Sequence, residues 1–228
     1  MSQPNSLMLF AAGFGTRMGE LTKDRPKPLI PVSGITLLDR ALNWVVDADI
    51  ANTVVNIHYK GNLIKETVKD RAQISDETNA VLETGGGLKK ALPLLGSDPI
   101  YTFNPDVVWS GPNPLTELAN AWNPEKMDAL LLLIPPSHAH SYTGDGDFSL
   151  DAAQRISRGA GYVYSGAQII KTDGLAHIEQ TAFSLNVLWD EMIKTQRVYG
   201  LPYTGKWCDV GTPEGITTAE KMLEETHV

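Results

Sequence analysis

Through its first 135 residues the chain alternates between short apolar runs and stretches of helical spacing. That alternation limits the fold more than any other feature. The run 7–12 (LMLFAA) is apolar throughout and ends in glycines, as a strand buried on both faces does when it feeds a phosphate loop. Leu37, Leu38, Ala41, Leu42, Val45 and Val46 recur at helical spacing across 36–48 and predict an amphipathic helix. Further strands are predicted at 53–57, 100–103 and 129–134, with helices at 62–71, 87–92 and 114–122 between them. Strand and helix in this order fold as a parallel sheet covered by helices on both faces.

After residue 135 the texture changes. Strands are predicted at 148–150, 162–170 and 198–201, a helix at 185–195, and a closing helix at 213–224. Pro213 suits the first turn of that last helix, where a missing amide costs nothing. The expected fold is a three-layer α/β/α sandwich with a mixed, mostly parallel central sheet. It forms one domain over 1–228, with a first half to about 135 and a second half, 136–228, that adds an antiparallel portion and a lid. The segment 137–146 reads as a mobile loop.

Composition narrows the function. The net charge of −8 argues against nucleic acid binding through the overall field. A nucleotide site remains open, because a phosphate site is a local arrangement of amides and cations. One cysteine, Cys208, allows no internal disulfide and fits a reducing cytoplasm. The start lacks a basic leader, and the longest later apolar run, 129–134, is far below the roughly 18–20 residues that span a bilayer. The expectation is a cytoplasmic protein without a membrane or nucleic-acid partner.

Four segments carry chemistry. The first is A-A-G-F-G-T-R-M-G, from Ala11 through Ala12, Gly13, Gly15, Thr16 and Arg17 to Gly19. Its glycines allow a tight turn close to a ligand, and Arg17 offers a planar fork for phosphate oxygens. The third glycine of a dinucleotide fingerprint falls one position late, and no G-K-[ST] follows for a Walker loop. By itself the segment also reads as a plain strand-to-helix turn. The second is R-P-K-P-L-I-P-V, where Pro26 and Pro28 stiffen the backbone around Lys27. A solvated proline-rich loop reads the same way in isolation.

The third is L-E-T-G-G-G-L-K-K-A, in which Gly85, Gly86 and Gly87 are read as preceding a helix and facing a ligand with free amides. A glycine hinge capping a helix is the alternative. The fourth is a carboxylate pair, Asp106 after the strand 100–103 and Asp209 in W-C-D-V-G-T-P-E. Two carboxylates suit Mg²⁺, with a triphosphate and waters completing its octahedron.

Together, A-A-G-x-G-T-R-M followed by P-K-P-L resembles the signature of the sugar-1-phosphate nucleotidyltransferases, also called NDP-sugar pyrophosphorylases. The L-E-T-G-G-G wording resembles most the branch that acts on N-acetylmuramate 1-phosphate with UTP. The resemblance implies the nucleotide-diphospho-sugar transferase fold and two substrates, a nucleoside triphosphate and a sugar-1-phosphate. It implies Mg²⁺ on Asp106 and Asp209. Arg17 and Lys27 act on phosphates, and Ala11, Ala12, Gly13, Gly15, Thr16 and Gly85–Gly87 bind the nucleotide. On the sugar side it implies Asp147, Arg158 and Gly166. Arg158 stands where relatives carry a lysine in E-K-P that holds the sugar phosphate. The chain departs from the pattern at Pro105, where relatives write glycine before the aspartate. Mannose-1-phosphate guanylyltransferase is the rival within the family, and a nucleotide-binding regulatory protein with a damaged metal site is the rival outside it. His138 and His140 read as polar surface rather than metal ligands, and Cys208 as a small buried residue.

Overall fold

The computed structural model describes residues 4–96 and 99–225. Its first half contains β1 (Ser6–Phe10), the short pair β2 (Pro31–Val32) and β3 (Ile35–Thr36), α1 (Leu37–Asp47), β4 (Asn52–Ile57), α2 (Gly61–Val68), β5 (Gln73–Asp76) and α3 (Glu83–Leu95). It continues with β6 (Ile100–Phe103), β7 (Val107–Ser110), α4 (Pro114–Ala121) and β8 (Ala129–Ile134). The second half contains β9 (Ala139–His140), β10 (Phe148–Leu150), β11 (Ile156–Arg158), β12 (Val163–Ile170), α5 (Asn186–Lys194), β13 (Val198–Pro202), β14 (Lys206–Asp209) and α6 (Pro213–Glu224).

Seven strands form the main sheet in the order β13-β8-β12-β6-β1-β4-β5. β12 runs antiparallel to both neighbours, and the other four pairings are parallel. The mixed, mostly parallel three-layer sandwich expected from the alternation is what forms. The reason lies in the strand period. On β1, Leu7 and Leu9 enter one core while Met8 enters the other. On β8, Leu130 and Leu132 face the first core and Leu131 and Leu133 the second. A strand apolar at every position needs cover on both faces. Leu38, Leu42, Ile64 and Leu115 from α1, α2 and α4 supply one layer, and Leu88, Ala91 and Leu188 from α3 and α5 supply the other.

Local signals set the helix starts. Thr36 caps α1 by accepting from the Asp39 amide at 3.0 Å. Asn113 caps α4 through the Leu115 amide at 2.9 Å, with Pro114 at the first helical position. A third core joins Met18, Val108, Cys208, Val210 and Met222, so that α6 closes the molecule against β14. β14 belongs to a separate three-stranded sheet, β7-β14-β9. Strands β5, β7 and β14 were not legible in the sequence. The segment 137–146, expected as a loop, in part forms β9, which pairs parallel with β14.

From β1 the chain steps to β4 and β5 on one side, then returns to β6 on the other. The carboxyl ends of β1 and β6 therefore flank a topological switch point, where open α/β sheets bind ligands.

Candidate active site

The segment after β1 and the segment after β6 line one cleft. Ala11, Gly13, Gly15, Thr16 and Arg17 of the glycine loop line it, together with Lys27 and Pro28, Pro105 and Asp106, and Gly211. The first, second and fourth sequence segments thus meet. Gly15 has φ +65°, and a Cβ there would lie 2.7 Å from Lys27 Cβ. Only glycine lets the loop turn and rest on the lysine stem. Lys27 follows an extended Pro26, is buried, and donates from Nζ to Asp106 Oδ2 at 2.8 Å.

The two aspartates, distant in sequence, are joined by the small sheet. β7 and β14 pair antiparallel with Asp209 opposite Val107, and the Val210 amide donates to the Asp106 carbonyl at 3.1 Å. The Asp209 carboxylate and the Arg17 guanidinium flank the same glycine: a Cβ on Gly211 would sit 2.8 Å from Asp209 Oδ2 and 3.0 Å from both Arg17 terminal nitrogens. Burial raises the Asp209 pKa above the usual carboxylate value. The like charge of Asp106 adds to the rise, and Lys27 and Arg17 oppose it. Two carboxylates whose repulsion is relieved by cations form a donor set that suits a hard divalent ion. Among the described residues no group of three or more His, Cys, Asp or Glu gathers to hold a metal, so His138 and His140 belong to no such cluster. The Cys208 thiol is pushed up to about 11 by burial, which makes it a poor nucleophile.

Beside the charged cleft lies a second cavity, lined by Ala12, Gly13, Asn56, Glu77, Thr84 and Asn104 among others. Asn56 and Glu77 were not singled out in the sequence. Asn56 Oδ1 accepts from the Ala11 amide at 2.7 Å, and Asn56 Nδ2 donates to Glu77 Oε1 at 2.8 Å. A buried side chain thus fixes the residue where the glycine loop leaves the sheet. Burial raises the Glu77 pKa, against the hydrogen bond from Asn56. Asn56 sits near the end of β4, a predicted strand, which is the one signal that could have marked it; Glu77 follows β5, which the sequence did not reveal.

The triple glycine is a correction. Gly85–Gly87 lie inside α3 rather than before it. The Gly85 and Gly86 amides donate to the Phe183 carbonyl at 2.8 and 3.1 Å, so they are not free for a ligand. A Cβ at any of the three would collide: with Phe183 at Gly85, with the Thr181 carbonyl at Gly86, and with Glu77 Oε1 at Gly87. These glycines let the helix approach its neighbours closely.

A third cavity opens beyond Phe10, Thr84 and Asn104, residues it shares with the second. Asp147, Arg158, Tyr164, Asn186 and Trp189 line it. At about 340 Å³ it is roomier than the charged cleft, at about 190 Å³. Asp147 Oδ2 accepts from the Tyr164 amide at 2.8 Å. Arg158 donates from Nε and Nη2 to Asp190 Oδ1 at 2.9 and 2.8 Å. Gly166 is not among the lining residues: at φ +86° it packs against Asn104, where a Cβ would sit 2.7 Å from Asn104 Cβ, and its carbonyl accepts from the Asn104 amide at 2.9 Å. Gly166 therefore shapes the strand end, and Tyr164 and Trp189, missed in the sequence, form the wall.

The described geometry agrees with comparisons to known proteins. Residues 7–144 match the model of the MobA-like NTP transferase domain. N-acetylmuramate alpha-1-phosphate uridylyltransferase of Caulobacter vibrioides is 38% identical, over 99% of this chain and 100% of that protein. The protein of the same name from Neisseria meningitidis is 35% identical, over 94% and 96%. The crystal structure of HddC from Yersinia pseudotuberculosis complexed with GMP-PN superposes with a TM-score of 0.78 at 20% identity, covering 96% of this chain and 99% of that one. A parallel-sheet switch point, two convergent carboxylates, two convergent cations and full-length similarity lead to one assignment: this chain belongs to the MobA-like NTP transferase family, among its sugar-1-phosphate nucleotidyltransferases.

Proposed function

We propose that the protein joins UTP and N-acetylmuramate 1-phosphate into the nucleotide sugar and releases pyrophosphate, in the cytoplasm. The single observation that carries this reading is that Arg17, Lys27 and Asp106 line one cleft beside the glycine loop, with the Asp209 carboxylate near enough to feel the charge of all three. The full-length likeness to two uridylyltransferases selects the substrates.

In this reading the work divides along the chain: residues 1–135 bind the nucleotide, and 136–228 bind the sugar and close the fold. The base and ribose lie against Ala12, Gly13 and Thr84, with Asn56 holding the loop from behind. The triphosphate runs into the charged cleft, where the loop residues Gly13, Gly15 and Thr16 approach it and Arg17 grips its outer phosphates. The sugar occupies the third cavity beside Asp147 and Arg158. A phosphate oxygen of the sugar-1-phosphate forms a bond to the α-phosphorus as the bond to pyrophosphate breaks on the opposite side. No protein nucleophile takes part, so the residues act by positioning and by neutralising charge. Asp106 and Asp209 would hold Mg²⁺, which when bound withdraws charge from the α-phosphate. Lys27 stands 2.8 Å from Asp106 and delivers a fixed positive charge to the same phosphates.

The test is pyrophosphate release from four nucleoside triphosphates against a panel of sugar-1-phosphates, with and without EDTA. UTP with N-acetylmuramate 1-phosphate is expected to give the highest kcat/KM, and chelation to abolish it. Preference for GTP with mannose 1-phosphate would overturn the substrate reading. Full activity in EDTA would overturn the metal pair.

A further inference from the structure

The third cavity has one cation among its lining residues, Arg158, and the position of that cation separates it from the phosphates. Its guanidinium carbon stands 4.9 Å from the Phe148 ring centroid and 5.6 Å from that of Trp189. Two aromatic faces thereby hold the planar group in place. The hydrogen bonds to Asp190 use Nε and Nη2. Among the described residues Nη1 donates to none. Nη2 also donates to the Asn186 carbonyl at 3.5 Å, so Nη1 is the nitrogen left over, and a carboxylate oxygen suits that charged donor.

The location tells which anion it meets. Trp189 is tied through Nε1 to Gln168 on β12, whereas the glycine loop follows β1. In the sheet β6 lies between them, so β12, which anchors Trp189, is two strand spacings from β1, about 10 Å. Arg17 and Lys27 already serve the phosphate end. N-acetylmuramate differs from N-acetylglucosamine by a lactyl ether that ends in a carboxylate, remote from the anomeric phosphate.

We propose that Arg158, stacked on Phe148 and Trp189 and anchored by Asp190, reads the lactyl carboxylate of the sugar and thereby sets specificity. The inference rests on the substrate proposed above. It also moves Arg158 away from the sugar phosphate, the role the sequence suggested for it.

The experiment measures kcat/KM with UTP for three sugars in wild type, Arg158→Lys and Arg158→Met. The sugars are N-acetylmuramate 1-phosphate, the same compound with its carboxyl converted to the amide, and N-acetylglucosamine 1-phosphate. Wild type is expected to favour the acid over the amide about ten- to hundredfold, the size of one charge-assisted hydrogen bond. Arg158→Met should lose ten- to hundredfold more on the acid than on N-acetylglucosamine 1-phosphate, with KM for UTP unmoved. Arg158→Lys should recover part of the difference. Equal losses on both sugars, or wild type indifferent to the amide, would overturn the carboxylate role. Wild type inactive on N-acetylmuramate 1-phosphate yet active on another sugar phosphate would instead overturn the substrate reading, before any variant is compared. The amide comparison needs no mutant, so a poorly folding Arg158→Met leaves the proposal open to refutation.

Discussion

Two ion pairs summarise the two halves of the molecule. Lys27–Asp106, in the first half, spans 2.8 Å with side chains 9% and 34% exposed. Arg158–Asp190, in the second, spans the same 2.8 Å with side chains 40% and 54% exposed. Equal distance does not mean equal consequence. The first pair is fixed by prolines, a left-handed glycine and strand ends, in a place where charge is weakly screened. The second rests on aromatic rings in reach of solvent, where an isolated pair contributes little to stability. In the proposed reading, phosphate handling rests mainly on this more rigid first half, with Asp209 brought to it from the second by the β7–β14 ladder, and the choice of sugar rests on the second half.

The largest way to break this contrast is Asp209→Asn. Turnover is expected to fall roughly 10²-fold or more, as for removal of one electrostatic group at a reacting centre. Stability should move the other way. Burial and Asp106 raise the folded-state pKa of Asp209 above its unfolded value, so the folded protein binds the proton more tightly. The stability contributed by protonated Asp209 is present below the unfolded pKa and is lost as pH rises through the folded value. Asparagine removes that loss. At neutral pH the variant should melt no lower than wild type, and its advantage should shrink toward pH 4 and below. Thermal unfolding against pH checks this, and an early-melting variant at pH 7 would mean that Asp209 is structural.

Lys27→Ala and Arg17→Ala come next. Each should lose on the order of 10²-fold in kcat by the same reasoning. Tm should move little for the exposed Arg17 but fall for the buried Lys27, whose loss leaves Asp106 without its partner. Normal specific activity in a variant that melts early would place either residue in the core rather than on phosphates.

Asn56→Ala sharpens the comparison by loosening the rigid half from behind. It leaves the buried Ala11 amide without its 2.7 Å acceptor and removes the Asn56 donor from Glu77 Oε1. A loss of about 1–3 kcal/mol is expected from an unsatisfied buried amide. KM for UTP should rise while KM for the sugar phosphate holds. A rise confined to the sugar would show that the halves are not divided as proposed.

Smallest is Pro105→Gly. Asp106 follows a buried strand and is held by Lys27 and by the Val210 amide on its carbonyl. Catalysis should therefore be unchanged, and stability should drop by about 0.4–1 kcal/mol as the unfolded chain gains freedom. A rise in turnover would mean that the absent Pro105 amide matters to the ligand.

Much of this was written in the chain order. Apolar runs at every position demanded cover on both faces, and that alone produced a three-layer sandwich with α1, α4 and α6 in their expected places. The glycine loop, the proline-bracketed lysine and the aspartate of D-V-G-T-P are local patterns, legible because each depends on its own few residues. What sequence could not carry was adjacency. The ladder between β7 and β14 brings Asp209 to Asp106, though they lie far apart along the chain. Asn56 and Glu77 became visible only because β4 pairs with β1 and β5 with β4, so that their ends line up beside the glycine loop. The triple glycine misled for the same reason. Its backbone freedom is a local property, but whether its amides meet a ligand or the Phe183 carbonyl depends on a segment about 100 residues away. Local propensity and period are set by neighbours in sequence. Partners across strand ends are set by how the sheet stacks, and only the folded chain decides that.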